Sequence, residues 1–457
     1  MRKAIILVVL LAVTATVDNS PARSPSKQAP ADKKLLEKLG KQIFFDKNLS
    51  NPPGLACVSC HNPESGYTGS VNPQINALFG VGSGVVSGRF ENRKPLTIMY
   101  AKFCPDGPPY YDEGLKSYFG GFFLDGHAND FVDQVHFPLL NPNEMNNLIN
   151  NHPAPQLVVQ KVSSGHYAAL VKQIYGANIF SQPSDKIILQ LAKAVAAFES
   201  SPEISPFSSK YDAYLTGKAQ LTPSEFNGLR LVTGSNTGRP GGMPYYKDAQ
   251  CVLCHGIPTE QGDGPDLWTI YSYENVGVPK NPHNPYYNMI DKKINALGYN
   301  PLGSAYIDFG LGNYIYPTKG LSPGNSGVGS NGKGDFLAVN GKFKIPTLRN
   351  VDKRPSPNFI KAYGHNGYFK SLKDVVHFYN TRNLTTVPGE IINFSNPQAY
   401  ANLKGKSLWP PPENPSSVTL QNPEGLPGQI GNLELTEQEE NDIVAFLKTL
   451  SDGYIKR

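Results

Sequence analysis

Apolar residues recur at helical spacing in four stretches of the chain, and strand-like alternation is scarce. The first, "KKLLEKLGKQIFFD", runs into a turn rich in Pro and Gly, "NLSNPPGLA". The second, "DKIILQLAKAVAAFESS", has the clearest amphipathic pattern. A third begins after Thr222, which is placed to cap it, with Pro223 at the first helical position and Glu225 completing a capping box. The last, "TEQEENDIVAFLKTL", is capped by Thr436. Gly (44) and Pro (40) are abundant between these stretches, above all from 256 to 341, so long irregular loops are expected there.

This pattern predicts a mainly α chain. At 457 residues, 39% hydrophobic and 17% charged, it is long enough to bury two cores. The order helix, Pro/Gly turn, cysteine pair and long loop occurs twice, which sets a boundary near residue 200 and two domains, 35–200 and 201–457. The net charge of +5 is spread without a basic run, and this argues against nucleic acid or an anionic membrane as partner. At the start, "MRKAIILVVLLAVTATVDNSPARS" places Arg2 and Lys3 before an apolar run and small residues, the form of a secretory signal over 1–20. A Ser-, Pro-, Lys- and Ala-rich leader, expected to be disordered, follows over 21–34. A membrane helix needs about 20 apolar residues, and this run is interrupted by Thr14, Thr16 and Asp18. A periplasmic or secreted protein without stable membrane insertion is expected.

In such a compartment cysteines usually pair. Five cannot all pair, and four of them form "CVSCH" (57–61) and "CVLCH" (251–255). CxxCH is the attachment site of c-type haem: two thiols add to the porphyrin vinyl groups and the histidine becomes an axial iron ligand. A zinc reading needs four ligands per site and would have to borrow them from far away. Cys57, Cys60, His61, Cys251, Cys254 and His255 are therefore expected to hold two covalently bound haem c groups, in two cytochrome c-like domains where haem supplies much of the apolar core. Cys104 is left over as a buried thiol.

The residue opposite each histidine decides what a haem does. No histidine lies between His61 and Leu124, and Met99 in "PLTIMYA" fits core packing, so the first haem is expected to have an open position. In "FLDGHANDFVDQVHFPLLNPNEM" (123–145), a buried carboxylate such as Glu144 can move a peroxide proton from one oxygen to the other. The residues alone also allow Glu144 to cap a helix and Gln134 to be solvated.

The stretches "LGKQIFFDKNLS", "DGHANDFVDQVHFPLLNPNEM", "FKIPTLRNV" and "YGHNGYFKSLKDVVHFY", with two CxxCH motifs in order, resemble the di-haem cytochrome c peroxidase and MauG superfamily from about residue 35 to about residue 450. The resemblance implies that His61 is the proximal ligand of the peroxide-reacting haem and His255 that of the second. It also implies that Gln134 and Glu144 are the distal glutamine and the catalytic glutamate. Tyr379 in "LKDVVHFY" falls where the peroxidases proper carry a methionine ligand and MauG a tyrosine; from the residues alone the first reading is a core aromatic on an amphipathic helix. Leu124 stands where the family has an inter-haem tryptophan, and His127 where an arginine follows, leaving His127 and His136 without an assigned role. For one Ca2+, Asn92 in "NRKP" is the candidate, shifted by one from the family's "R-N-x-P".

The implied function is an oxidoreductase that uses H2O2 to oxidise a partner protein. In the classical peroxidases the partner is a small cytochrome or cupredoxin; in MauG-like members it is a protein that is permanently modified, and Tyr379 inclines the chain that way. The rival is a non-enzymatic di-haem electron carrier, whose first haem would take His127, His136 or Met99 as a strong sixth ligand. The Tyr-, Asn- and Gly-rich insertions between His255 and Phe343 are candidates for a partner surface or substrate channel.

Overall fold

Two pairs of crossed helices organise the chain, and each crossing requires a glycine. The structure, a computed structural model, describes residues 30–234, 247–256, 265–290, 300, 302–318, 339–392, 405–415, 418 and 428–455. In the N-terminal half the Pro30–Phe45 helix packs on the Ser184–Glu199 helix; in the C-terminal half Pro223–Thr233 packs on Glu437–Lys448. A Cβ on Gly40 would lie 1.9 Å from the carbonyl oxygen of Ala194, and one on Gly228 would lie 1.9 Å from that of Asp442. Backbones approach so closely only where one side chain is missing. Phe198 and Phe446 are the next contact in the two crossings and are both buried, so the same helix pair is built twice.

The apolar faces explain the packing. Ile187, Ile188, Leu191, Val195 and Phe198 are buried along one helix, and Ile443, Phe446 and Leu447 along its counterpart. The capping box expected of Thr222 with Glu225 forms, and Thr436 caps the last helix as expected, with Glu439 completing a second box. Among the described residues strands occur only as three short antiparallel pairs, Tyr110–Asp112 with Ser117–Phe119, Leu148–Ile149 with His152–Pro153, and Tyr273–Glu274 with Phe343–Lys344. The chain is helix-rich, as its periodicity predicts.

The halves interlock through loops. The Tyr271 hydroxyl donates to the Tyr100 carbonyl at 2.6 Å, and the Tyr273 hydroxyl and Lys344 Nζ donate to the Gly120 carbonyl at 2.7 and 2.8 Å. Near the C-terminus, Asp452 Oδ2 accepts from the Tyr100 hydroxyl at 2.7 Å and from Asn350 Nδ2 at 2.6 Å. All these groups are buried, where an unmade hydrogen bond would be costly.

One boundary differs from expectation: the first helix begins at Pro30, inside the leader expected over 21–34. The signal segment and the insertion stretches 257–264, 291–299 and 319–338 lie outside the described residues. No described helix is long and apolar enough to cross a membrane.

Candidate functional site

Each CxxCH motif winds into a single helical turn, with the histidine N–H donating to the carbonyl of the first cysteine at 2.9 Å in both. His61 Nδ1 then meets the Tyr67 carbonyl oxygen at 3.1 Å, and His255 Nδ1 meets that of Trp268 at 3.2 Å. An Nδ1–H engaged this way leaves the Nε2 lone pair free to bind a metal. Burial pushes both imidazoles down to about 4, so both are neutral at pH 7, the ligating form.

The clamp around each ring is the same. Tyr67 and Trp268 have positive φ values of 52° and 55°. The residue before each is held by a threonine: Thr97 Oγ1 donates to the Gly66 carbonyl at 2.7 Å, and Thr347 Oγ1 to the Leu267 carbonyl at 2.5 Å. Those hydroxyls in turn accept the backbone N–H of Met99 and Arg349 at 3.1 and 3.0 Å.

Cys251, Cys254 and His255 form one wall of an apolar cavity of about 280 Å³, closed by Val278, Phe343, Phe369, Val376, Phe378 and Leu433. Tyr379 lines it from the Leu372–Thr381 helix, which starts at a Ser371–Asp374 capping box. Burial raises the phenol pKa, with the Cys254 and Cys251 sulfurs adding to the effect, while the Arg382 guanidinium acts in the opposite sense. No hydrogen bond to its hydroxyl comes from the described residues. Burial pushes the Cys60, Cys251 and Cys254 thiols up to about 12, and raises Cys57 likewise. A zinc site needs four ligands, and no described group of three or more His, Cys, Asp or Glu is placed to hold a metal ion. Thiols, neutral imidazole and apolar wall fit a covalently held porphyrin.

At the first motif the structure adds a residue that sequence reasoning missed. The Phe131–Leu140 helix, capped by Asp130, carries the partly buried Gln134, to whose side chain no described residue donates or accepts a hydrogen bond. Glu144 lies in the turn after it and caps no described helix; its N–H donates to the Asn141 carbonyl at 3.1 Å, and its carbonyl accepts from Val85 N at 2.9 Å. Its charge acts on both Cys57 and Cys60, so the carboxyl faces the first motif. Asn141 Nδ2 donates to Glu91 Oε1 at 3.1 Å, and its side chain acts to lower the Glu144 pKa. Glu91 and Cys60 flank Gly82, whose Cβ position is 3.9 Å from Glu91 Cγ and 3.2 Å from the Cys60 sulfur. Burial pushes Glu144 well above the usual carboxylate range, and the Glu91 charge raises it further. Burial also pushes Glu91 up to about 7, against the pull of Arg93.

Between the motifs runs an ionic chain. His127 Nδ1 contacts Asp125 at 2.5 Å, and its ring stacks on Phe123 with centroids 4.0 Å apart. Asp125 pairs with Arg93 Nη1 at 2.8 Å, and Arg93 holds Asp308 in two bonds of 2.7 and 2.8 Å. Burial alone would raise Asp125, but Arg93 and His127 hold it well below the usual range. Asn92 donates its amide to the Tyr306 hydroxyl and to Asp308 at 2.9 and 3.1 Å. With the Asn92 amide engaged this way, Arg93 brings positive charge to both carboxylates, so neither needs a calcium ion for charge balance. Leu124 and Phe343 both line the second cavity. His136 is partly exposed beside Asp133, Met99 is packed in the N-terminal core, and Cys104 is buried with its sulfur 3.4 Å from the Gly121 carbonyl.

The model of the di-haem cytochrome c peroxidase family matches residues 34–220. The chain is 28% identical over 435 residues to the methylamine utilization protein MauG of Paracoccus denitrificans, covering 94% of this chain and 92% of that protein. It is 25% identical over 360 residues to the cytochrome c551 peroxidase of Nitrosomonas europaea, covering 78% and 76%. The solved structure of the diheme peroxidase BthA from Burkholderia thailandensis matches with a TM-score of 0.67 at 27% identity, over 91% of this chain and 86% of that one. Two copies of one histidine clamp agree with a similarity that runs through both halves: the chain is similar to the di-haem cytochrome c peroxidases and MauG over most of its length.

Proposed function

We propose that the protein is a periplasmic or secreted H2O2-dependent di-haem peroxidase, with one haem c attached at Cys57 and Cys60 and a second at Cys251 and Cys254. In this reading each half is a haem domain, His61 and His255 would ligate the two irons, and Tyr379 would be a further ligand of the second haem. The observation that carries it is the partly buried group of Glu144, Asn141 and Glu91 beside the first motif, where both carboxylates act on the Cys60 thiol. An electron carrier has no use for a carboxyl group held there.

The haems, when bound, supply iron to take up peroxide and the electrons that reduce it. Glu144 receives the proton from the near oxygen of H2O2 and returns it to the far oxygen, which leaves as water. Gln134 orients the peroxide, and Asn141 ties Glu91 to the turn that carries Glu144. His61 stays neutral, its Nδ1–H on the Tyr67 carbonyl. Two electrons and two protons per H2O2 complete reduction to two waters, and the electrons come from a partner protein. Tyr379, with the Arg382 guanidinium acting on it, suits a haem that stores oxidising equivalents, which favours a MauG-like partner that is modified over a small cytochrome or cupredoxin that is recycled.

The test is a mass measurement of the mature protein together with peroxide consumption. The reading expects two haem masses per chain and consumption that Glu144→Gln lowers by about 10²–10⁴-fold. One haem or none, or consumption indifferent to that change, overturns it.

A further inference from the structure

Three lysines line the cavity beside Cys251, Cys254 and His255, and none is paired with a carboxylate among the described residues. Lys361 and Lys344 are each only 4% exposed, and Lys94 is partly buried. Lys361 Nζ donates to the backbone carbonyls of Asn350 at 2.8 Å and Lys353 at 3.2 Å. Lys94 Nζ donates to Thr68 Oγ1 and to the Pro95 carbonyl. Lys344 Nζ donates to the Gly120 and Tyr271 carbonyls, beyond the aromatic face of Tyr273. The acidic side chain that acts on Lys361, Asp352, is itself bonded to Arg354. Lys94 comes from the N-terminal half and Lys361 from the C-terminal half, and the two repel one another.

Buried ammonium groups are tolerated when an anion compensates them, and two that repel across one cavity call for an anion between them. We propose that Lys94 and Lys361 form the clamp for the propionate carboxylates of the haem attached at Cys251 and Cys254. This rests on the assignment of that haem made above. Haem carries two carboxylates on an otherwise apolar ring, and this cavity offers an apolar interior with cationic groups from both halves. Burial lowers the pKa of Lys361 and takes Lys94 down to about 8, the direction expected for ammonium groups that lack their anion. Because the two cations come from different halves, the clamp also makes the haem a bridge between them.

The experiment compares Lys361→Met, Lys94→Met and the charge-keeping Lys361→Arg in the purified holoprotein, after mass measurement of haem on the Cys251–His255 peptide. The readouts are the propionate bending mode in the resonance Raman spectrum and the midpoint potential of the second haem across neutral pH. Removing a positive charge beside the carboxylates favours ferric iron, so both methionine variants are expected to lower that potential, make it fall more steeply with pH, and shift the bending mode. Lys361→Arg is expected to restore the unsubstituted values. Wild-type Raman and redox behaviour in both methionine variants overturns the clamp while leaving the haem assignment standing; a Cys251–His255 peptide without haem mass overturns that assignment instead. Lys94 is partly exposed, so its variant decides the matter if Lys361→Met does not fold.

Discussion

Glu91 Oε1 accepts a hydrogen bond from Asn141 at 3.1 Å, and this ties a carboxylate from one loop to the turn that carries Glu144. The Glu91 charge raises the Glu144 pKa on top of burial. Glu91→Gln removes that charge, so Glu144 ionises at lower pH. Since ionised Glu144 is the form that takes the peroxide proton, the rate of reaction with H2O2 should rise with pH, and in the variant that rise should move to lower pH. Stopped-flow rates measured from about pH 5 to about pH 9 read this directly, and an unmoved acid limb counts against the coupling.

Tyr379 lines the cavity of the second motif with its hydroxyl free of partners among the described residues. A phenolate donates charge to iron and lowers its potential. Tyr379→Met should raise the midpoint potential of the second haem and change its low-temperature EPR signal. If both stay as in the unsubstituted protein, Tyr379 is a wall residue and the MauG-like inclination fails with it.

The glycine crossings make a stability prediction. Overpacking a tight site costs about 1–3 kcal/mol, and a methyl group 1.9 Å from a backbone carbonyl forces the helices apart. Gly40→Ala and Gly228→Ala should each lower stability by at least the upper part of that range, seen as a fall in Tm and in the urea midpoint. Stability within error of the unsubstituted protein would mean the crossings are looser than described.

Arg93 bears on metal dependence. Its guanidinium serves Asp125 and Asp308, both almost fully buried. Dialysis against EGTA should therefore leave the haem spectra and the peroxide rate unchanged. Arg93→Met leaves two buried carboxylates without their cation and should cost about 3–5 kcal/mol in a denaturant titration. A protein inactivated by EGTA and rescued by calcium would contradict this.

What could be read in the sequence was local. The CxxCH pairs announce themselves because thiols and histidine must sit within one helical turn, and the caps at Thr222 and Thr436 because a capping box spans four residues. Glu144 and Gln134 were singled out as a pair through resemblance, since a distal role depends on what a residue faces and not on its neighbours in the chain. Glu91 and Arg93 carried no signal: they meet Asn141 and Asp308 across 50 and 215 positions. The repeated histidine clamp was hidden for a related reason, because one loop returns to His61 after six residues and the other to His255 after thirteen.

The central claim is that Glu144 serves an open first haem. The most direct measurement mixes the fully oxidised, haem-loaded protein with one equivalent of H2O2 in a stopped-flow spectrometer, with EPR of the resting state alongside, for the unsubstituted protein and for Glu144→Gln. The account predicts a high-spin ferric signal that disappears on mixing and returns slowly without a donor, and a reaction about 10²–10⁴-fold slower in the variant. Two low-spin signals indifferent to peroxide, before and after partial reduction, would contradict it and make the protein an electron carrier.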